Sequence, residues 1–276
     1  MTRAESRPSH DTACRSTWLF LSVCLFCLPV TGSDLTGDEL ARNVYERADG
    51  QDAVIAGSMT LQGENSRMRV RRTYTYQLEG ENGNNRALIR FTEPGNIAET
   101  GLLVHNHADG DSDQWLYLPA AKRVRRISSD NLGGSFVQSD LYFEDLQDRR
   151  PEEDTHIYLG TEEMAGSQVH KLESIPVDAS SSAYTRRISW IHPQTLVPVR
   201  IDFFKGSETP IKRFEVLRIE NIQGYWTVMA SRMTTLRSGH QTLMQVDAIT
   251  YDQALPEDLF SIRALSDVFY EREFRE

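Results

Sequence analysis

The 276-residue chain carries 40 Asp and Glu against 30 Lys and Arg, a formal charge of −10, with 39% hydrophobic and 9% aromatic residues. An acidic chain lacks the basic face that nucleic-acid binding requires, and as a whole it is repelled by an anionic bilayer, so membrane contact is expected to be transient and partner-mediated. The cysteines, Cys14, Cys24 and Cys27, all sit near the N-terminus, which leaves the rest of the chain without disulfides, thiolate metal sites or a cysteine nucleophile.

In chain order, Arg3, Arg7 and Arg15 precede an apolar run from Trp18 to Leu28, followed by Pro29, Gly32 and Ser33. This is the order of an export signal cleaved near Gly32. The run is about half of the roughly 20 residues a spanning helix needs. Val23 before Cys24 and Phe26 before Cys27 do not suit lipid attachment. The expectation is a signal peptide over residues 1–32 and a single domain over residues 33–276, soluble in the periplasm, with a formal charge of about −11.

Thr36 with Glu39 three residues on, Leu40 and Val44 on one face, and the Asp49-Gly50 stop predict one helix. Period two then takes over. From Met68, the residues Met68, Val70, Tyr74, Tyr76 and Leu78 fall on one side of a strand, with Arg72 among them, and Arg69, Arg71, Thr73, Thr75 and Gln77 on the other. Further strands are expected over 86–91, 102–107, 114–118, 123–127, 156–162, 168–175, 184–191, 197–204, 211–222, 226–236 and 242–251. Residues 128–147 interrupt them: Gly133-Gly134-Ser135 breaks the alternation, and Phe136, Leu141, Tyr142, Phe143 and Leu146 are too apolar to lie free in water. About a dozen strands with little helix imply a strongly curved antiparallel sheet, mainly β, with this segment as a packed cover. A curled sheet so covered can hold a cavity for an apolar ligand.

Signatures of catalysis are absent: there is no G-x-S-x-G, no H-E-x-x-H, no phosphate-cradling loop and no dinucleotide fingerprint. No enzyme activity and no cofactor is expected. His105 and His107 with Asp109, Asp111 and Asp113 invite a metal, but Gln114 and Ala120 stand where a calcium loop needs Gly and Glu, so no metal is assigned.

Three stretches carry a resemblance: Asp113-Gln114-Trp115-Leu116-Tyr117-Leu118-Pro119-Ala120, Lys122-Arg123-Val124-Arg125-Arg126-Ile127, and Ser135-Phe136-Val137-Gln138-Ser139-Asp140-Leu141-Tyr142-Phe143-Glu144-Asp145-Leu146. In this order they resemble the outer-membrane lipoprotein-sorting protein group of the LolA-like family. Gln138 departs from the usual glycine and Leu141 from the usual aromatic. The resemblance implies an unclosed β-barrel plugged by helices, and transfer of acylated molecules, lipoprotein or lipid, across the periplasm. It also implies an inner-membrane transporter of the resistance-nodulation-division type as partner. The alternative role is an accessory module that binds that transporter's periplasmic domain without lifting a cargo.

The candidate ligand contacts are the apolar strand positions Met68, Val70, Tyr74, Tyr76, Leu102, Trp115 and Tyr117, the cover residues Phe136, Leu141, Tyr142 and Phe143, and Arg72 among them. The same positions would equally fill a dry core, since alternation marks burial and does not say against what. Arg72 is expected to pair with a carboxylate, and Arg123, Arg125 and Arg126 to hold Asp140, Glu144 and Asp145, with an acidic transporter loop as their alternative partner. Ser135 to Leu146 is read as a movable cover, with a fixed plug as the alternative.

Overall fold

The structure is a computed structural model that describes residues 35–63, 67–80 and 83–275; the expected export signal and its cleavage point lie outside them. Helix α1, Gly37–Tyr45, starts where its cap dictates. Thr36 Oγ1 accepts from the Glu39 amide at 3.2 Å, and Glu39 Oε2 accepts from the Thr36 amide at 2.9 Å, which satisfies two otherwise orphaned donors. Leu40 and Ala41 pack on Leu172 and Ile191. Gly37 lies so near the His156 carbonyl that a Cβ would stand 2.5 Å from its oxygen.

The strands are β1 (Asp52–Gln62), β2 (Arg69–Leu78), β3 (Arg86–Glu93), β4 (Gly101–His105), β5 (Asp113–Leu118), β6 (Arg123–Arg126), β7 (Asp154–Met164), β8 (Ser167–Pro176), β9 (Arg186–Ile191), β10 (Pro198–Phe204), β11 (Lys212–Ile222), β12 (Tyr225–Thr235) and β13 (His240–Tyr251). They form one 13-stranded sheet in the order β6-β5-β4-β3-β2-β1-β13-β12-β11-β10-β9-β8-β7. Neighbours in sequence pair antiparallel, except β6 and β7. Only β1–β13 joins distant parts of the chain. The edge strands β6 and β7 do not pair with each other, so the barrel is unclosed.

Alternation in the sequence misses β1, the strand that unites the two halves. Its register shifts between Ala56 and Gly57, and Gly57 is required there because a Cβ would lie 2.4 Å from the Gln245 carbonyl oxygen. A bulge of this kind breaks period two without ending the strand.

Two apolar clusters separate the faces of the first half-sheet. Met59, Leu61, Phe91, Leu102 and Val104 meet Phe203 and Met233 of the second half in one cluster, which defines the inner face. On the outer face Tyr76, Leu88 and Leu103 are covered by Leu255, Leu259, Phe260 and Leu265 of the chain's last stretch, where short turns flank helix α2, Ile262–Ser266. Arg90 pins this stretch. It is fully buried, and its Nε donates to Glu271 at 2.8 and 2.9 Å, Nη1 to the Glu99 carbonyl at 2.7 Å and Nη2 to the Leu265 carbonyl at 2.8 Å. Among the described residues no helix is long and apolar enough to cross a membrane.

Candidate functional site

The structure divides the twelve candidate contacts by face. On β2 the expected parity holds, but it points outward: Met59 pairs with Arg71 and Leu61 with Arg69, so the arginine side is the inner one. Tyr74 and Tyr76, with Trp115 and Tyr117 of β5, lie under the C-terminal stretch. Met68 and Val70 extend beyond it, 57% and 47% exposed. Arg72 is exposed as well and pairs with Asp247 at 3.0 Å and Glu93 at 3.7 Å, the structural pairing expected of it. The physical reason for the inversion is that both faces of this half-sheet are buried, so alternation cannot tell inside from outside.

Leu102, Phe136, Leu141, Tyr142 and Phe143 come together on the inner face. Phe136 is fully buried, with ring centroids 5.7 Å from Phe91 and 5.9 Å from Phe143. The segment 128–147 folds upon itself. Phe136 N donates to Leu141 O at 2.8 Å, Phe143 N to Gly134 O at 3.1 Å and Glu144 N to Leu132 O at 3.1 Å. None of the backbone–backbone bonds described for 128–147 reaches a strand. Side chains make its attachments: Arg71 donates to Val137 O, Gln114 Nε2 to Phe143 O at 2.8 Å, and Arg69 to Gln138 Oε1 at 3.0 Å.

Its carboxylates are held from the far half of the sheet, not by Arg123, Arg125 and Arg126 as expected. Arg126 is taken by Asp113 at 2.9 Å. Asp140, buried, accepts from Thr235 Oγ1 at 2.6 Å and Thr242 Oγ1 at 2.7 Å and lies 2.6 Å from His240 Nδ1. Glu144, also buried, pairs with Arg187 and accepts from Ser182 Oγ at 2.6 Å. Asp145 accepts from Tyr184 OH at 2.8 Å and the Tyr142 amide at 2.7 Å, with Lys212 Nζ 3.6 Å away. Lys212 donates to the Asp140 carbonyl and stands 2.9 Å from the Tyr142 ring centre. Burial pushes the Lys212 ammonium down to about 8 against the pull of Asp145 and Asp140, and burial lifts the Asp145 carboxyl and the Tyr184 phenol above their ordinary values. These anchors carry no signal in the sequence, because Arg187, Lys212 and His240 are separated from their partners by tens of residues.

His105 and His107 serve the scaffold. His105 Nε2 lies 2.7 Å from the Phe260 carbonyl and its ring stacks edgewise on Trp115; His107 meets Asp113 at 3.2 Å. A cavity of about 370 Å³ lies between the end of α1 and the turns at Thr195 and Gly224, and one of about 110 Å³ lies beside Arg90 and Arg272. Neither opens onto Leu102, Phe136 or Phe143.

A protein-family model described as an uncharacterized protein matches residues 83–267. The curated proteins give no match. Among solved structures, an outer membrane lipoprotein-sorting protein domain from Vibrio parahaemolyticus is 30% identical with a TM-score of 0.79, over 83% of this chain and 98% of that one. A DUF1329 family protein from Desulfovibrio piger is 30% identical with a TM-score of 0.79, over 83% and 97%. A LolA superfamily protein from Nitrosomonas europaea, 17% identical over 84% and 100%, shares the fold with a TM-score of 0.66.

Proposed function

The chain belongs to the outer-membrane lipoprotein-sorting protein group of the LolA-like family, and from that premise we propose that it is a periplasmic carrier, not an enzyme, that holds the acyl part of a lipoprotein or lipid on its inner apolar face. One observation carries this reading: segment 128–147 is hydrogen-bonded within itself and tied to the sheet by side chains, so it can leave the inner face as a unit without breaking a strand ladder.

The energies are of matching size. Re-exposing Phe136, Leu141, Tyr142 and Phe143 costs about 6–12 kcal/mol at roughly 1.5–3 kcal/mol each. Burying an acyl chain of about 16 carbons returns on the order of 13 kcal/mol at roughly 0.8 kcal/mol per CH₂. The apolar burial supplied by cover and by cargo is therefore of similar size, with the bonds at Asp140, Glu144 and Asp145 added on the side of the closed state. With no nucleotide site, direction comes from whichever partner binds one state better.

Binding of a fluorescent fatty acid to the unit from Leu35 onward tests this. Saturable binding is expected, and it should disappear when cysteines at positions 69 and 138 are joined by a short bifunctional thiol reagent and return on cleavage of the tether. The second reading, an accessory module for a resistance-nodulation-division transporter, draws on the inner face being filled by the protein's own side chains; no saturable binding at all decides for it, whereas a tethered form that binds as well as the free one would mean that the ligand does not enter beneath the cover.

A further inference from the structure

The strand register sorts every turn of the sheet to one of two ends, and the two ends differ in charge. Leu61 of β1 pairs with Arg69, Arg72 of β2 with Glu93, Leu118 of β5 with Arg123, Phe203 of β10 with Lys212, and Thr235 of β12 with His240. The turns β1–β2, β5–β6, β10–β11 and β12–β13 therefore share one rim. Here lie Arg67, Arg69, Lys122, Arg123, Lys205 and Arg237, all exposed. None of the six has a carboxylate partner among the described residues, although most cations of this protein are ion-paired. The carboxylates described on the turns of this rim are engaged: Glu99 faces Arg272 at 3.8 Å, Glu208 binds Arg186 at 2.8 Å, and Asp178 accepts from Ser180 at 2.8 Å.

The opposite end is the reverse. Its turns, 79–85, 106–112, 165–166, 192–197 and 223–224, contain no Lys or Arg, while Asp109 and Asp111 stand there exposed and, among the described residues, without a cation. The net charge of −10 thus conceals a molecule with one cationic end.

Apolar side chains accompany the rim cations. Met68, 57% exposed, lies between Arg67 and Arg69; Leu118, 40% exposed, faces Arg123 across the ladder; Leu236, 37% exposed, precedes Arg237. Three separate turns thus offer the same pair, an apolar side chain beside a guanidinium, at one level of the sheet. Such a distribution suits a flat, extended anionic surface with an apolar layer beneath it: cations bind headgroups while the apolar tips enter the acyl boundary.

We infer that this rim docks directly on anionic lipid bilayers. The Arg69–Gln138 and Arg71–Val137 contacts place the tip of segment 128–147 at the same end, so docking would present the covered inner face to the membrane. The docking itself does not depend on whether cargo enters the sheet.

Cosedimentation of the unit from Leu35 onward, one compact unit by its contacts, with vesicles tests it. Binding is expected to phosphatidylcholine vesicles containing phosphatidylglycerol, to fall steeply with salt, and to be weak on phosphatidylcholine alone. Each cation is worth about fivefold in partitioning, so the combined Arg67→Gln, Lys122→Gln, Arg123→Gln and Arg237→Gln variant should lose at least two orders of magnitude. These side chains have no carboxylate partner among the described residues, and an unchanged thermal midpoint checks that the fold is intact. Asp109→Asn with Asp111→Asn makes the net charge less negative at the far end and should leave binding within about twofold; a large gain there would mean that net charge, not the rim, governs adsorption, and would overturn the inference. Absence of binding to anionic vesicles at low salt overturns it, as does binding that the quadruple variant retains. Capture of a membrane protein from detergent extract that the quadruple variant loses, without any vesicle binding, overturns it in favour of an acidic protein partner.

Discussion

Lys212 stands with its ammonium over the Tyr142 ring, donating to the Asp140 carbonyl and facing Asp145. It is 2% exposed, so its charge is paid for only by these neighbours. Lys212→Met would leave Asp145 buried without a cation, and a loss of about 3–5 kcal/mol in chemical denaturation is expected; adding Asp145→Asn should recover more than half of it. The titration has a definite sign. The folded pKa of about 8 lies below the ordinary 10.5, so between these values the unfolded chain holds more protons and stability rises with pH. Above pH 10 the raised tyrosines oppose this: buried Tyr184 and Tyr76 keep protons that the unfolded chain releases. Stability measured from pH 8 to 10 should therefore climb in the native chain and lose that climb in Lys212→Met.

At the scale of elements, segment 128–147 and the sheet beneath it make different kinds of contact. The strands share backbone ladders, whereas the segment meets them through side chains, and contiguous units of that sort open below the global free energy. Hydrogen exchange should show the amides of Phe136, Phe143 and Glu144 opening together, at lower free energy than those of β1 and β13. Asp140→Asn keeps the shape but weakens bonds from Thr235, Thr242 and His240. It should lower the segment's opening energy by about 1–3 kcal/mol while β1 and β13 exchange as before. Exchange of the segment in step with the strands would mean a fixed plug. The sequence shows that 128–147 must bury its aromatic side chains, but what holds it down was out of reach: Asp140 and His240 are a hundred residues apart.

At the scale of the molecule, an open 13-stranded sheet has two edges that could pair with another chain. The β7 edge runs beside α1, which packs on Tyr158. The β6 edge is short and carries Arg123, Arg125 and Arg126, all exposed, and like charges brought edge to edge repel. Replacing Arg123, Arg125 and Arg126 with threonine keeps β propensity and removes that repulsion. Sedimentation velocity should then show concentration-dependent self-association that the native chain lacks. The same three arginines were expected to hold Asp140, Glu144 and Asp145; at the edge of the sheet their positions favour keeping other strands away.

Local order in the chain determined a good deal by itself. The Thr36–Glu39 cap placed α1, period two placed the strands from β2 onward to within a few residues, and the Trp115 to Tyr117 and Phe136 to Leu146 stretches pointed to the family. These features depend on neighbours one to four residues apart, which a sequence displays directly. Tertiary structure decided which face is which. Tyr76 and Trp115 sit at apolar strand positions just as Leu102 does, yet the first two lie under the C-terminal stretch while Leu102 faces the cover and its Phe136, because the sheet is buried on both sides. It also decided the charge. Composition makes the chain acidic, but antiparallel turns alternate between two ends, and only the register showed that six cations without a carboxylate partner among the described residues gather at one of them.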